Sequence, residues 1–219
     1  MVLCIKLGFW QYSKAEAKQA LQLKLEKGML LLPVDLPRKI ADVEFWRYRR
    51  VKFSGTYEPK YQILLDNQVE NTVAGYHVLT PVKLESSSQY VLVNRGWIVG
   101  SPDRKVPAIQ TPVGKQEFVG DIYIPPEKFY SLETPQMNEG KWQLVWQNLD
   151  IKRYAKALPS ELQPFVVRLD AQSKAGGFSR NWPHPGERVS MHLGYAYQWF
   201  GFALTLFVIY LVLNIKKVK

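Results

Sequence analysis

"AGYHVLTPVKLESSSQYVLVNRGWIVG", residues Ala74 to Gly100, decides the fold. Two runs rich in Val, Leu, Ile and Tyr flank "ESSS" at Glu85–Ser88, a polar stretch of the kind that closes a hairpin. Within the second run, Asn94 and Arg95 interrupt an apolar strand, and Gly96 and Trp97 follow at once. One reading of the arginine is structural: it stabilises a turn, with Trp97 as a core anchor. The other is functional, because a guanidinium can hold a carboxylate through two parallel hydrogen bonds. By strand alternation His77 falls on the polar face of the first run.

Outward from this hairpin the same grammar repeats. "YRRVKFSGTY" (Tyr48–Tyr57) alternates Val51, Phe53 and Gly55 with polar residues, as a half-buried strand does. "YQILLDNQ" (Tyr61–Gln68) predicts a strand running into an Asp-Asn turn. "QEFVGDIYI", "KWQLVWQNLD" and "FVVRLDA" are further β-like runs, and "IKRYAKALP" is a short helix closed by Pro159. "SKAGGFSRNWPHPGERVS" (Ser173–Ser190) is a Gly/Pro-rich loop. Roughly six or seven strands with two short helices leave too few helices for alternating βαβ units. The expected class is α+β, an antiparallel β-rich domain over 13–190, with barrel-like closure one form it can take.

The ends differ. Leu193 to Ile215 carries no charged residue, and a helix of that length reaches about 34 Å. A bilayer core needs about 30 Å, so 191–215 is predicted to be a transmembrane helix. Tyr195, Tyr197 and Trp199 stand at one end, where amphipathic rings favour the headgroup layer. Lys216, Lys217 and Lys219 follow the other, which puts the basic tail 216–219 in the cytoplasm and the main domain outside it. "MVLCIKLGFWQ" is apolar but short and broken by Lys6, so 1–12 is read as the outer end of a first transmembrane helix. A signal peptide fits poorly, for want of a long apolar region and a small-residue cleavage site. "SKAEAKQALQLKLEK" (Ser13–Lys27) is built of strong helix formers and continues as a solvated helix.

The 219 residues carry a net charge of +10, but the basic residues are dispersed and no nucleic-acid-binding signature accompanies them. Cys4 is the single cysteine, which excludes an internal disulfide and argues against thiolate metal sites and covalent haem attachment. No nucleophile elbow, P-loop, dinucleotide fingerprint or His-Glu-x-x-His occurs. Asp66, Asp103, Asp121 and Glu133 offer no evident acid–base pair, and His184, between two prolines, reads as a loop residue. The sequence is that of a non-enzyme.

The second span has two helical faces. Gly194, Gln198, Gly201 and Thr205 fall on one side, and small residues there predict close packing against the first helix. His192, Tyr195, Trp199 and Phe202 fall on the other. On geometry alone that side suits a haem edge and a headgroup-level aromatic belt equally.

"WQ" at Trp10–Gln11, "YRRVKFSGTY", "LLDN", "GYHVLTPV", "VLVNRGWIVG" and "HLGYAYQWFGFA" stand in the order seen in the Surfeit locus protein one family, which the chain resembles over nearly its whole length. Lys14 stands where an arginine is expected, Gln68 follows "LLDN" where arginine is common, and Val99 replaces a frequent proline. The resemblance implies an inner-membrane protein with two spans around an extracytoplasmic domain. It also implies a part in assembling haem–copper cytochrome c oxidase, with haem a bound transiently and passed to the catalytic subunit. His192 matches the family's haem-linked histidine, with Tyr195 and Trp199 as walls. Arg95, Trp97, Gly194, Gln198 and Gly201 are then structural or partner-docking residues. Partners implied are the oxidase catalytic subunit, haem a synthase and membrane lipid; the rival reading is a scaffold that never touches haem. The absence of an Arg- and Ser-rich leader predicts a bacterial plasma membrane, with the mitochondrial inner membrane as the eukaryotic equivalent.

Overall fold

The computed structural model describes residues 1–101, 103, 105–126, 142–182 and 185–215. Glu133, His184 and the basic tail 216–219 lie outside the described residues. The chain divides into two compact units, Lys27–Trp182 and a second made of Met1–Glu26 with Pro183–Lys219.

The larger unit is a closed barrel. Its strands are β1 (Val34–Asp35), β2 (Arg50–Tyr57), β3 (Ile63–Glu70), β4 (Val73–Leu84), β5 (Tyr90–Val99), β6 (Lys115–Tyr123), β7 (Val145–Trp146) and β8 (Leu162–Leu169). The order β2-β6-β8-β5-β4 returns to β2 through the Gly55↔Leu84 to Tyr57↔Val82 ladder, giving a five-stranded ring. β3 extends the β4 edge outside it, with β7 beyond. Closure gives each of the five ring strands a neighbour on both sides and so removes their exposed edges, which would otherwise invite association. Gly55 permits it locally, since a Cβ there would stand 2.4 Å from the Lys83 carbonyl oxygen.

All five ring strands feed one core cluster that includes Val51, Val82, Val91, Val93, Phe118, Ile122, Phe165 and Val167. Each such side chain contributes about 1.5–3 kcal/mol when fully buried. A second cluster joins Leu79, Leu92 and Val166 to Trp146 and to Tyr154 of the short helix α3 (Ile151–Ala155). Asp150 caps that helix by accepting from the Arg153 N–H. A further short helix, α2 (Val43–Trp46), is capped likewise by Asp42.

Three expectations need correction. The sheet is mixed rather than antiparallel, because β8 lies parallel to β5, as β1 does to β2 and β7 to β3. The long excursion between β5 and β8, through β6 and α3, supplies the crossover that a parallel neighbour requires. Asp66-Asn67 is not a turn: β3 runs through it as a bulge, with Asn67 at φ 57°, and the reversal comes at Asn71-Thr72, φ 48° and 66°. Two successive residues at positive φ make the tight turn that matches strand twist. His77 is half-buried, not on a polar face: its ring packs edge-on to Trp182 at 5.5 Å.

The smaller unit pairs the start of α1 (Val2–Leu30) with α4 (Val189–Asn214). α4 is the one helix among the described residues that is long and apolar enough to cross a membrane, and its apolar window is only 11% buried. A core helix of a soluble protein would be mostly covered. α1 continues without a break from the apolar 1–12 into the charged stretch beyond it.

Candidate functional site

In the helical unit, α4 does not meet α1 through the glycine face. Among the described residues, and apart from their own helix backbone and chain neighbours, nothing stands within 4 Å of where a Cβ on Gly194 or Gly201 would sit, and Gln198 and Thr205 are exposed. The seam lies on the opposite side, where Ala196 and Ala203 are buried, seven residues apart. The close approach comes from α1: a Cβ on Gly8 would stand 2.5 Å from the Phe200 ring. Phe9 packs edge-on to Phe200 at 5.2 Å.

His192 stands on this seam side. Its Nδ1 lies 2.8 Å from Gln11 Oε1, an acceptor, and a neutral imidazole that donates to it from Nδ1 keeps its lone pair on Nε2. Trp199 is half-buried and stacks edge-on to Phe202 at 5.8 Å, while Tyr195 is 44% exposed. Among the described residues no ring contact joins His192 to Tyr195 or Trp199. The three share a helix end.

In the barrel unit, the "NRGW" stretch is a built feature. Leu79 pairs with Asn94 and His77 with Trp97, so β5 carries one extra residue as a bulge. The Asn94 side chain accepts from the Gly96 N–H at 3.1 Å. The Trp97 N–H donates to the Ser179 carbonyl at 2.6 Å, and the Ser179 N–H returns a bond at 3.1 Å. The Trp97 indole donates to the Gln68 carbonyl at 2.9 Å, and Gly75 leaves room for its ring. Trp97 is therefore a half-buried latch for the 173–182 loop rather than a fully buried core anchor.

Arg95 is 1% exposed, and among the described residues no carboxylate pairs with it. It donates to the Gln110 carbonyl at 2.6 Å, Thr111 Oγ1 at 3.0 Å and Gln62 Oε1 at 3.2 Å, all neutral. Tyr57 and Phe178 cover the guanidinium, with ring centres at 5.0 and 5.1 Å. Burial pushes Arg95 below its ordinary pKa, and Arg180 nearby adds to that. Tyr57 is pushed up to about 12 by burial, against the pull of both arginines.

A second buried arginine has the opposite arrangement. Arg168 donates through Nη2 and Nε to Asp121 Oδ2, at 2.6 and 3.1 Å, amid the rings of Tyr48, Tyr123 and Trp182. Burial pushes the Asp121 carboxyl up from its ordinary value, and Arg168 pulls it back only in part. His77 is pushed down to about 4, first by burial and then by Arg168. Sequence reasoning missed Gln11 as the histidine's partner, and Gln62, Thr111 and Phe178 as the cradle of Arg95. The two glycines at 176–177 were the only local hint of a tight approach.

A five-stranded barrel joined in sequence to a pair of helices, one of them long enough to cross a membrane, defines the class of protein. Within it, the chain belongs to the SURF1 family, whose model matches residues 1–204. A SURF1-like protein of Rickettsia felis is 27% identical over 217 residues, covering 96% of this chain and 91% of its own. Surfeit locus protein 1 of Mus musculus is 25% identical, covering 89% and 67% respectively. Cytochrome oxidase assembly protein SHY1 of Saccharomyces cerevisiae is 25% identical over 71% of this chain and 41% of its own length.

Proposed function

We propose that this chain is a membrane-anchored assembly factor for cytochrome c oxidase that holds haem a transiently and assists its insertion into the catalytic subunit. Family membership and the yeast relative's name support the assembly role. The membrane is that of a bacterial cell, or the mitochondrial inner membrane in a eukaryote. α4 crosses it, the barrel unit is extracytoplasmic, and the partners are the catalytic subunit and haem a synthase.

The observation that carries the haem reading is the His192–Gln11 pair. A haem-ligating histidine commonly donates its other ring N–H to an acceptor, which fixes the tautomer and makes the free nitrogen a better ligand. His192 meets that requirement, with Gln11 as acceptor and Nε2 free. Haem a is cargo here, and its iron accepts a neutral imidazole. Trp199 and Tyr195 add apolar wall on the same helix end. Gln11 orients the ring, and the half-buried position limits the water that competes for iron.

A second reading, a scaffold that binds oxidase subunits without haem, has its own support. The Gly194, Gln198 and Gly201 face is uncovered, and small residues with a glutamine suit association with a partner helix in lipid. Purification of the full-length protein from cells making haem a, followed by visible spectroscopy, separates the two. The haem reading expects a Soret band that is lost in His192→Ala and weakened in Gln11→Leu. A colourless wild type that still co-purifies with the catalytic subunit would establish the scaffold instead.

A further inference from the structure

We propose that the pocket at Arg95 is a binding site for a small monocarboxylate. The site lies within the barrel unit and does not depend on the haem reading. Arg95 opens onto a cavity of about 380 Å³ bordered by Thr111, Pro112, Gly176, Gly177 and Phe178. That volume lies at the lower end of small-molecule sites.

Three observations point to an anion. First, among the described residues the border carries a guanidinium and no acid, and no carboxylate pairs with Arg95. The fold can supply one to a buried arginine, as Asp121 does for Arg168. Second, Arg95 Nε is buried without a hydrogen-bond partner. Leaving a charged donor unmet in this way is costly. Third, a second cation stands beside it. Arg180 Nε donates to the Arg95 carbonyl at 3.1 Å, and its Nη1 donates to the Asp170 and Ser173 carbonyls at 2.6 and 2.8 Å. Both guanidiniums have neutral hydrogen-bond partners, and of the two only Arg95 borders the cavity, with Arg180 adding positive potential from behind it.

The shape narrows the class. At Gly176, φ is +62° and a Cβ would strike Pro112 at 2.4 Å while reaching within 3.5 Å of Arg95 Nη2. Glycine there keeps the approach to the guanidinium clear. Phe178 and Pro112 provide an apolar flank for an organic tail. A single guanidinium matches one carboxylate in charge and in planar geometry. Most of its donors are already engaged, which leaves too few for a phosphate dianion.

Equilibrium dialysis of radiolabelled benzoate against the detergent-solubilised full-length chain tests the assignment. The expected result is saturable one-site binding, displaced by acetate in excess but by neither benzamide nor inorganic phosphate. Arg95→Lys, which keeps the charge but loses the planar fork, should weaken binding tenfold or more. Gln110→Glu changes an exposed side chain at the pocket border, so it should leave the fold intact and weaken benzoate by a similar factor through repulsion. Circular dichroism of each variant checks folding, and Gln110→Glu decides the matter if Arg95→Lys is unfolded. Absence of saturable binding, equal binding of benzamide, displacement by phosphate, or undiminished affinity in folded Gln110→Glu would each overturn the proposal.

Discussion

At Gly96 the backbone adopts φ +130°, and a Cβ would stand 2.5 Å from the Ser179 carbonyl oxygen. This one position explains why "NRGW" is a unit. The glycine admits the returning loop, the asparagine fixes the bulge, and the tryptophan latches the loop to the strand. The arginine between them points to a different set of partners. Across the ladder His77 pairs with Trp97, and its environment makes a pH-dependent contribution. A half-buried histidine whose pKa falls from about 6.5 to about 4 stays neutral in the fold while the unfolded chain takes up a proton. Its contribution is therefore fully present above about pH 6.5 and is lost as pH falls toward 4, by at most roughly 3 kcal/mol. Urea midpoints at pH 7.5 and 4.5 should fall more steeply in wild type than in His77→Phe. Parallel declines in the two proteins would rule the histidine out as the source.

At the scale of elements, helix geometry alone misassigns the seam of α4. A wheel identifies two faces, but which one is covered depends on the neighbour, and the close-approach glycine turns out to be Gly8 of α1. Small residues at Gly194 and Gly201 are compatible with packing yet do not specify it. The consequence is measurable in detergent micelles. Ala196→Leu inserts three heavy atoms into a fully covered position, and overpacking of this kind typically costs about 1–3 kcal/mol. Gly201→Leu adds bulk where nothing stands within 4 Å. Thermal melts followed by tryptophan fluorescence should show a lower midpoint for Ala196→Leu and none of that loss for Gly201→Leu. The reverse order would place the seam on the glycine face after all. β-hairpins behave otherwise, because their pairing is local. The β4–β5 hairpin was legible from "ESSS" and the flanking periodicity, whereas the bulge at Asp66-Asn67 reads like a turn until the partner strand is known.

For the whole molecule, ring closure was the least legible property. Each of the five ring strands can be found by its own pattern, whereas the two-residue β1 has none, and the order β2-β6-β8-β5-β4 is decided by contacts far apart in sequence. The cradle of Arg95 shows the same limit, since Gln62, Gln110, Thr111 and Phe178 come from three separate segments. The Arg168–Asp121 pair is a direct probe of closure, because it ties β8 to β6 inside the ring's wall. Both side chains are nearly buried, at 7% and 10% exposure. Removing one partner leaves the other charged and uncompensated, a loss of about 3–5 kcal/mol in comparable sites. By contrast the Lys115–Glu85 pair is more than half exposed and should contribute about 0–1 kcal/mol. Chemical denaturation should therefore find Asp121→Asn severely destabilised and Glu85→Gln close to wild type. The double variant Asp121→Asn with Arg168→Met should recover part of the loss, because it removes the stranded cation along with its partner. If instead the double variant is worse than Asp121→Asn alone by the full effect of Arg168→Met, the two side chains act independently. The ring would then owe its closure to the apolar core that all five strands share.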